Sequence, residues 1–184
     1  MFVLSASLPL LLATFAPQEG TDSSGAPLKV VPDVDLARYA GTWYEIARFP
    51  NRFQKQCMGY VTATYTLLED GQIKVVNRCR TEEGSFEEVE GQARRKSDTD
   101  PLTKLQVRFA PAFLSFLPFV WGDYWIIDLA SDYSYAVIGE PDRKYLWILS
   151  RSPGMDDAVY GRILARLREQ QYDISRLVRT KQGP

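Results

Sequence analysis

Histidine is missing from all 184 residues. Without it, Ser-His-Asp and Cys-His catalysis are excluded and too few ligand types remain for a usual zinc site. No metal and no other cofactor is therefore expected. Cysteine is almost missing, with only Cys57 and Cys79 present. An excess of either charge is missing too. Lys and Arg number 22 against 23 Asp and Glu, a formal charge of −1, so neither a nucleic acid nor an acidic partner is indicated. Long apolar runs are also absent, since the stretch from Leu8 to Ala16 is too short to cross a bilayer. What the chain does have is aromatics: ten Tyr, nine Phe and four Trp, as expected of a β protein that lines a cavity. The length suits one domain with a real core.

Residues 1–17 resemble the apolar core of a secretory signal. Residues 18–30 are small and polar and read as a linker, with the folded domain expected over 31–180. Strands are expected at 42–49, 60–68, 72–80, 85–96, 103–109, 123–129, 134–139 and 144–151, set by period-two alternation and bounded by turn residues. Val61, Ala63, Tyr65 and Leu67 alternate with threonines, and Asp70-Gly71 marks a hairpin. Gly91 is expected at a bulge. A turn at 34–39 precedes Gly41, and a helix is expected over 155–171, with an acidic start and the stripe Val159, Ile163 and Leu167. A short strand at 174–178 would end the domain.

Eight short antiparallel strands followed by one helix predict an all-β fold. It would be an eight-stranded up-and-down barrel, with the C-terminal helix packed on its outside and room inside for one small ligand. If the first strand rises from Gly41, the loops at 50–59, 81–84 and 110–122 lie at the mouth. Gly41, Trp43, Asp132, Tyr133 and Arg151 then gather at the closed end. Arg151 shares parity with Trp147 and Leu149 and would point inward. Its guanidinium over the Trp43 indole would make a cation–π contact of roughly 1–2 kcal/mol, a structural cluster rather than a ligand site.

Three stretches together resemble the signature regions of the lipocalins. They are Gly41-Thr42-Trp43-Tyr44-Glu45, Ser131-Asp132-Tyr133, and Trp147-Ile148-Leu149-Ser150-Arg151. The likeness covers about residues 30–180 and is nearest the bacterial and apolipoprotein D-like branch. It implies a binding protein rather than an enzyme. The ligand would be a fatty acid, a lysophospholipid or a similar small hydrophobic molecule, held in the bacterial envelope in support of membrane maintenance. Export to the periplasm or outer membrane is implied likewise. Many bacterial members carry a lipid-bearing cysteine near the N-terminus, and this sequence has none before Cys57.

Parity marks Val61, Tyr65, Val75, Val107, Phe109, Tyr135, Val137, Tyr145 and Trp147 as inward and ligand-lining. Glu45 shares the parity of Trp43, and an inward carboxylate needs a partner. Arg78 and Arg94 are candidates. Cys57 and Cys79 fall at the mouth ends of adjacent strands. A disulfide between them fits an oxidising compartment, against the rival of a free catalytic thiol. The loop 110–122 is apolar, with Phe113, Phe116, Phe119 and Trp121, and three roles are open to it: membrane contact, a homodimer interface, or a lid over the mouth. Two functions of other classes stay in view. One is an enzyme using a cysteine or tyrosine, and the other is a protein-interaction module acting through the apolar loop.

Overall fold

Eight segments with period-two alternation form one antiparallel sheet in the computed structural model, which describes residues 26–183. They are β1 (Gly41–Arg48), β2 (Gly59–Leu67), β3 (Ile73–Arg80), β4 (Phe86–Arg95), β5 (Lys104–Arg108), β6 (Gly122–Leu129), β7 (Tyr135–Gly139) and β8 (Leu146–Ser150). Each pairs with the next. β1 pairs with both β8 and β2, which closes the barrel. A short helix, α1 (Leu36–Tyr39), enters the closed end. A longer one, α2 (Asp157–Glu169), lies outside. The expected signal at 1–17 and the linker residues 18–25 fall outside the described residues. Residues 26–30 are not a free linker. Leu28 is buried with the helix-facing cluster and Lys29 N donates to Gln170 Oε1 at 3.0 Å.

Two cores result. Inside the barrel, Trp43, Tyr65, Val75, Leu105, Tyr124, Ile126, Ile138 and Leu149 pack together with Tyr39 of α1. Outside, Ile46, Ala47, Ile127, Val137, Leu146 and Ile148 meet Ile163 and Leu167 of α2. α2 forms because Asp156 caps it, its Oδ1 accepting from Ala158 N at 2.9 Å and Val159 N at 3.1 Å. Asp157 at its start and Arg166 and Arg168 at its end suit the helix dipole. Each buried aliphatic on its inner face contributes about 1.5–3 kcal/mol.

The outer core corrects two inward assignments. Tyr135 and Val137 face α2, and Ala136 and Ile138 face the barrel interior. A strand covered on both sides is apolar on both sides, so its alternation does not show which face is inner. Gly91 is not at a bulge, since the β3–β4 ladder runs unbroken from Ile73↔Ala93 to Arg80↔Phe86. It is glycine because a Cβ there would stand 2.5 Å from the Phe109 ring and 2.6 Å from Arg108 O. The register shifts fall at Glu45/Ala47, Gly59/Thr62 and Ile126/Asp128.

The expected last strand is a 3₁₀ turn at Ile174–Arg176 followed by β9 (Val178–Arg179). β2 pairs with β1 only up to Tyr44, and β9 pairs with Ala47 and Arg48. Residues 178–182 therefore fill the wedge where β1 and β2 part. Thr180 N donates to Ile46 O at 2.9 Å and Tyr60 N to Lys181 O at 2.7 Å. Gln182 Nε2 donates to Glu45 O and to Val61 O, both at 2.7 Å, one on each side of the wedge.

At the mouth Cys57 and Cys79 form a disulfide with a Cα separation of 5.5 Å across 22 positions. This answers the free-thiol alternative. Replacing both with serine should lower the unfolding free energy by about 3 kcal/mol, read as a lowered urea midpoint. Thiol titration of the unreduced, unfolded protein should find none.

Candidate functional site

The closed end is built around one guanidinium. Arg151 lies over the Trp43 ring at 3.8 Å from its centroid. Its Nη1 donates to Thr42 O at 3.1 Å, and its Nη2 reaches Arg38 O at 2.6 Å, Tyr39 O at 3.1 Å and Ala40 O at 2.9 Å. Trp43 Nε1 also donates to Tyr39 O, at 2.8 Å. Burial lowers the Arg151 pKa, while the nearby Tyr39 works in the other direction. Gly41 adopts φ +96°, and a Cβ there would sit 3.2 Å from Arg151 Nη1. Position 41 therefore requires a glycine both for its backbone and for the arginine beside it.

α1 is a single turn, too short to persist alone. It is held by Asp35, which caps it, by Tyr39 inside the barrel, and by the turn before β7. Asp35 N donates to Tyr133 Oη at 2.9 Å, and Arg38 covers the Tyr133 ring at 4.0 Å. Asp132 stands at the edge of this cluster, near Arg38. It is exposed, its Oδ1 accepts from Ser134 N at 2.9 Å, and that bonding to Ser134 holds its pKa below the usual value. Its role is to shape the turn.

A layer of tyrosines packs against Trp43. The Tyr39 ring packs 5.0 Å from Trp43 and 5.5 Å from Tyr65, and Tyr65 packs 6.0 Å from Tyr124. Tyr39 Oη lies 2.7 Å from Tyr124 Oη, and Tyr65 Oη lies 2.9 Å from it. Burial raises the pKa of all three, with Tyr65 pushed up to about 12.

Nearer the mouth an inward carboxylate is fully engaged. Glu45 accepts from Arg48 Nη1 at 2.8 Å, from Gln54 Nε2 at 2.7 Å and from Thr180 Oγ1. Its partner is thus Arg48. Arg78 pairs with Glu88 at 3.3 Å, and Arg94 lies against Trp121. The register shift at Glu45/Ala47 turns Arg48 to the same side as Glu45, opposite Trp147. Gln54 Oε1 in turn accepts from Trp147 Nε1 at 2.9 Å and from Asn51 Nδ2 at 2.8 Å. Arg48 Nε is buried without a partner.

The expected lining residues separate into groups. Tyr65 and Val75 are buried in the interior core, and Val107 and Trp147 pack on it while staying partly open. Tyr145 stacks on Trp147 at 5.9 Å, with Phe53 5.7 Å beyond it, as an aromatic rim. Phe109 is 38 % exposed and Val89, two residues along β4 from Gly91, is 47 % exposed. Val61 is buried beside the β2 shift and belongs to neither core. Tyr135 lies outside, where its Oη accepts from Arg166 Nη1 at 2.9 Å.

The phenylalanines of the mouth loop do not pack down on the barrel. Phe113, Phe116 and Phe119 are 74, 77 and 80 % exposed. Trp121 departs from that group, being buried on the outer wall 3.9 Å from Arg94 Cζ, and its Nε1 donates to Ser115 O at 2.8 Å. It shares outward parity with Asp123 and Trp125 of β6, so it anchors the loop while the phenylalanines project. Two shallow grooves, one beside residues 26–29 and α2 and one along Lys74, Glu90 and Pro111, lie outside the barrel. Among the described residues no three carboxylate or cysteine side chains stand together to hold a metal ion.

Residues 34–182 match the family described as the lipocalin-like domain. The temperature-induced lipocalin-1 of Arabidopsis thaliana is 42 % identical over 157 residues, covering 85 % of this chain and 83 % of that one. The outer membrane lipoprotein Blc of Escherichia coli K12 is 39 % identical over 154 residues, 83 % of this chain and 82 % of that one. Among solved structures, insecticyanin of the tobacco hornworm Manduca sexta superposes with a TM-score of 0.64 at 24 % identity, over 84 % of both chains.

Two outcomes follow from the geometry. Arg151→Lys keeps the charge but cannot reach four carbonyls at once, and should cost about 2 kcal/mol in urea denaturation. Alkaline titration should leave Tyr39, Tyr65 and Tyr124 un-ionised while the barrel is folded. Their native pKa lies above the ordinary value of 10.0. The unfolded chain therefore loses protons first, and stability is full below pH 10 and falls as pH rises beyond it. Phenolate absorbance of these three should appear together with unfolding.

Proposed function

Since the chain belongs to the lipocalin family, we propose that it is a non-enzymatic carrier of an acyl lipid, a fatty acid or lysophospholipid, in the bacterial envelope, where it supports membrane maintenance. One observation supports this above the others. Val89, Val107, Phe109 and Trp147 leave apolar surface partly open near the mouth, above a packed aromatic floor. An alkyl chain would cover that surface, and each methylene buried contributes about 0.8 kcal/mol. The polar head stays at the rim beside Arg48, Asn51 and Gln54.

The carrier reading is favoured over an enzyme by the chemistry that remains. Both cysteines are in the disulfide, histidine is missing, and the interior tyrosines are held protonated by burial. Export to the periplasm or outer membrane is supported by the disulfide, which needs an oxidising compartment. It is also supported by the likeness to a bacterial relative named as an outer membrane lipoprotein. The three projecting phenylalanines fit a peripheral membrane contact at which lipid is collected, and a homodimer through the same loop is the second reading.

Lipid titrated against Trp147 fluorescence should give a saturable change, and native mass spectrometry of the envelope-purified protein should show a co-purifying acyl chain. No uptake and an empty barrel would overturn the carrier. Phe116→Ser with Phe119→Ser should weaken liposome co-sedimentation roughly tenfold or more, from about 1.5–3 kcal/mol lost per buried ring, and leave the Trp147 titration unchanged. Loss of a dimer in place of liposome binding would assign the loop to an interface.

A further inference from the structure

The tyrosine layer holds an odd number of hydroxyls. Tyr39, Tyr65 and Tyr124 bring three hydrogens to two contacts, Tyr39–Tyr124 at 2.7 Å and Tyr65–Tyr124 at 2.9 Å. However the three are oriented, one hydrogen is left without an acceptor among the described residues. A second hydroxyl on the same inner face is also without a partner. Thr103 Oγ1 is buried and bonded to nothing. Thr103 shares parity with the inward Leu105 and Val107, and its carbonyl accepts from Ile126 N at 2.9 Å. Ile126 and Tyr124 lie two apart on the inner face of β6, so Thr103 and Tyr124 are diagonal neighbours across the β5–β6 pair. A buried hydroxyl without a partner is destabilising, whereas phenylalanine and valine of the same shape would avoid that cost.

We propose that these hydroxyls recognise a neutral oxygen carried on the buried part of the ligand, so that the preferred cargo is an oxygenated acyl lipid, a hydroxy or oxo fatty acid. The inference rests on the carrier reading and names the ligand class for the same barrel. The oxygen is neutral because the floor offers no free cation. Arg151 stands against Trp43 with both Nη atoms engaged by backbone carbonyls. A carboxylate at the floor would be a buried charge with no partner. The charged head therefore stays at the mouth and the chain oxygen goes down. A ligand hydroxyl can accept the left-over tyrosine hydrogen and donate to Thr103, while a ketone can only accept. The order of preference is hydroxy, then oxo, then unsubstituted.

The test is a Trp147 fluorescence titration of the full chain with three fatty acids of one length: unsubstituted, mid-chain hydroxy and mid-chain oxo, the oxygen moved along the chain in a series. The best hydroxy isomer should bind roughly tenfold tighter than the plain acid, the value of one well-made hydrogen bond. The variant Tyr39→Phe/Tyr65→Phe/Tyr124→Phe should lose the preference, the ratio of hydroxy to plain acid affinity falling roughly tenfold. Thr103→Val should reduce the hydroxy advantage to that of the oxo acid, and it decides the matter with the unmodified protein should the triple variant not fold. Equal affinity for all three acids in the unmodified protein would overturn the proposal, assigning the left-over hydrogen to a trapped water, while the carrier stands. No saturable binding of any acid would overturn both.

Discussion

The Arg151 guanidinium is the contact on which the barrel depends. It lies on Trp43 and gathers carbonyls from α1 and from the first residues of β1, so helix, strand and the end of β8 are joined by one side chain. Tyr39 is placed by the same contact, since its carbonyl accepts from both Arg151 and Trp43 while its ring turns into the barrel. The tyrosine layer therefore inherits its position from the base. Closing the bottom with a cation whose hydrogens are taken up by backbone carbonyls leaves no unpaired charge at the floor, which is what an acyl chain requires.

The mouth solves the opposite problem. Glu45 is an inward carboxylate, and a buried charge is tolerated only when its oxygens are fully engaged. Arg48, Gln54 and Thr180 do this, and through Gln54 the network also fixes Trp147. The first loop is thereby tied to the wall at the point where a lipid would enter. The two ends divide the labour: the base holds the barrel in shape, and the rim holds its polar groups ready without exposing a free charge to the interior.

Much of this was legible in the alternation of the sequence. The base cluster could be placed from strand direction and parity alone, because Trp43 and Arg151 sit near strand ends whose sense is fixed by turn order. Sequence parity failed where a second surface or a register shift intervened. Tyr135 and Val137 sit on a strand covered by α2, so both of its faces are apolar. Arg48 was overlooked because the shift at Glu45/Ala47 breaks the alternation that made Arg78 and Arg94 plausible. Tyr39 lies off the strands altogether, so period two says nothing of it. Tyr124 and the outward Trp121 could have been found from the parity of Ile126 and Trp125. An apolar, proline-broken loop leading into β6 obscured where that strand begins.

The wedge between β1 and β2 has a consequence for the order in which the molecule forms. β1 is synthesised first, yet its upper edge stays unpaired until residues 178–182 arrive, with Gln182 bonding to both sides of the gap. Its other edge waits for β8, about a hundred residues downstream. Such long-range pairings make folding slow, and an open strand edge invites pairing with another chain meanwhile. During synthesis this protein therefore passes through a period in which its first strand is its most vulnerable one. That edge is covered only when the C-terminal segment has been added.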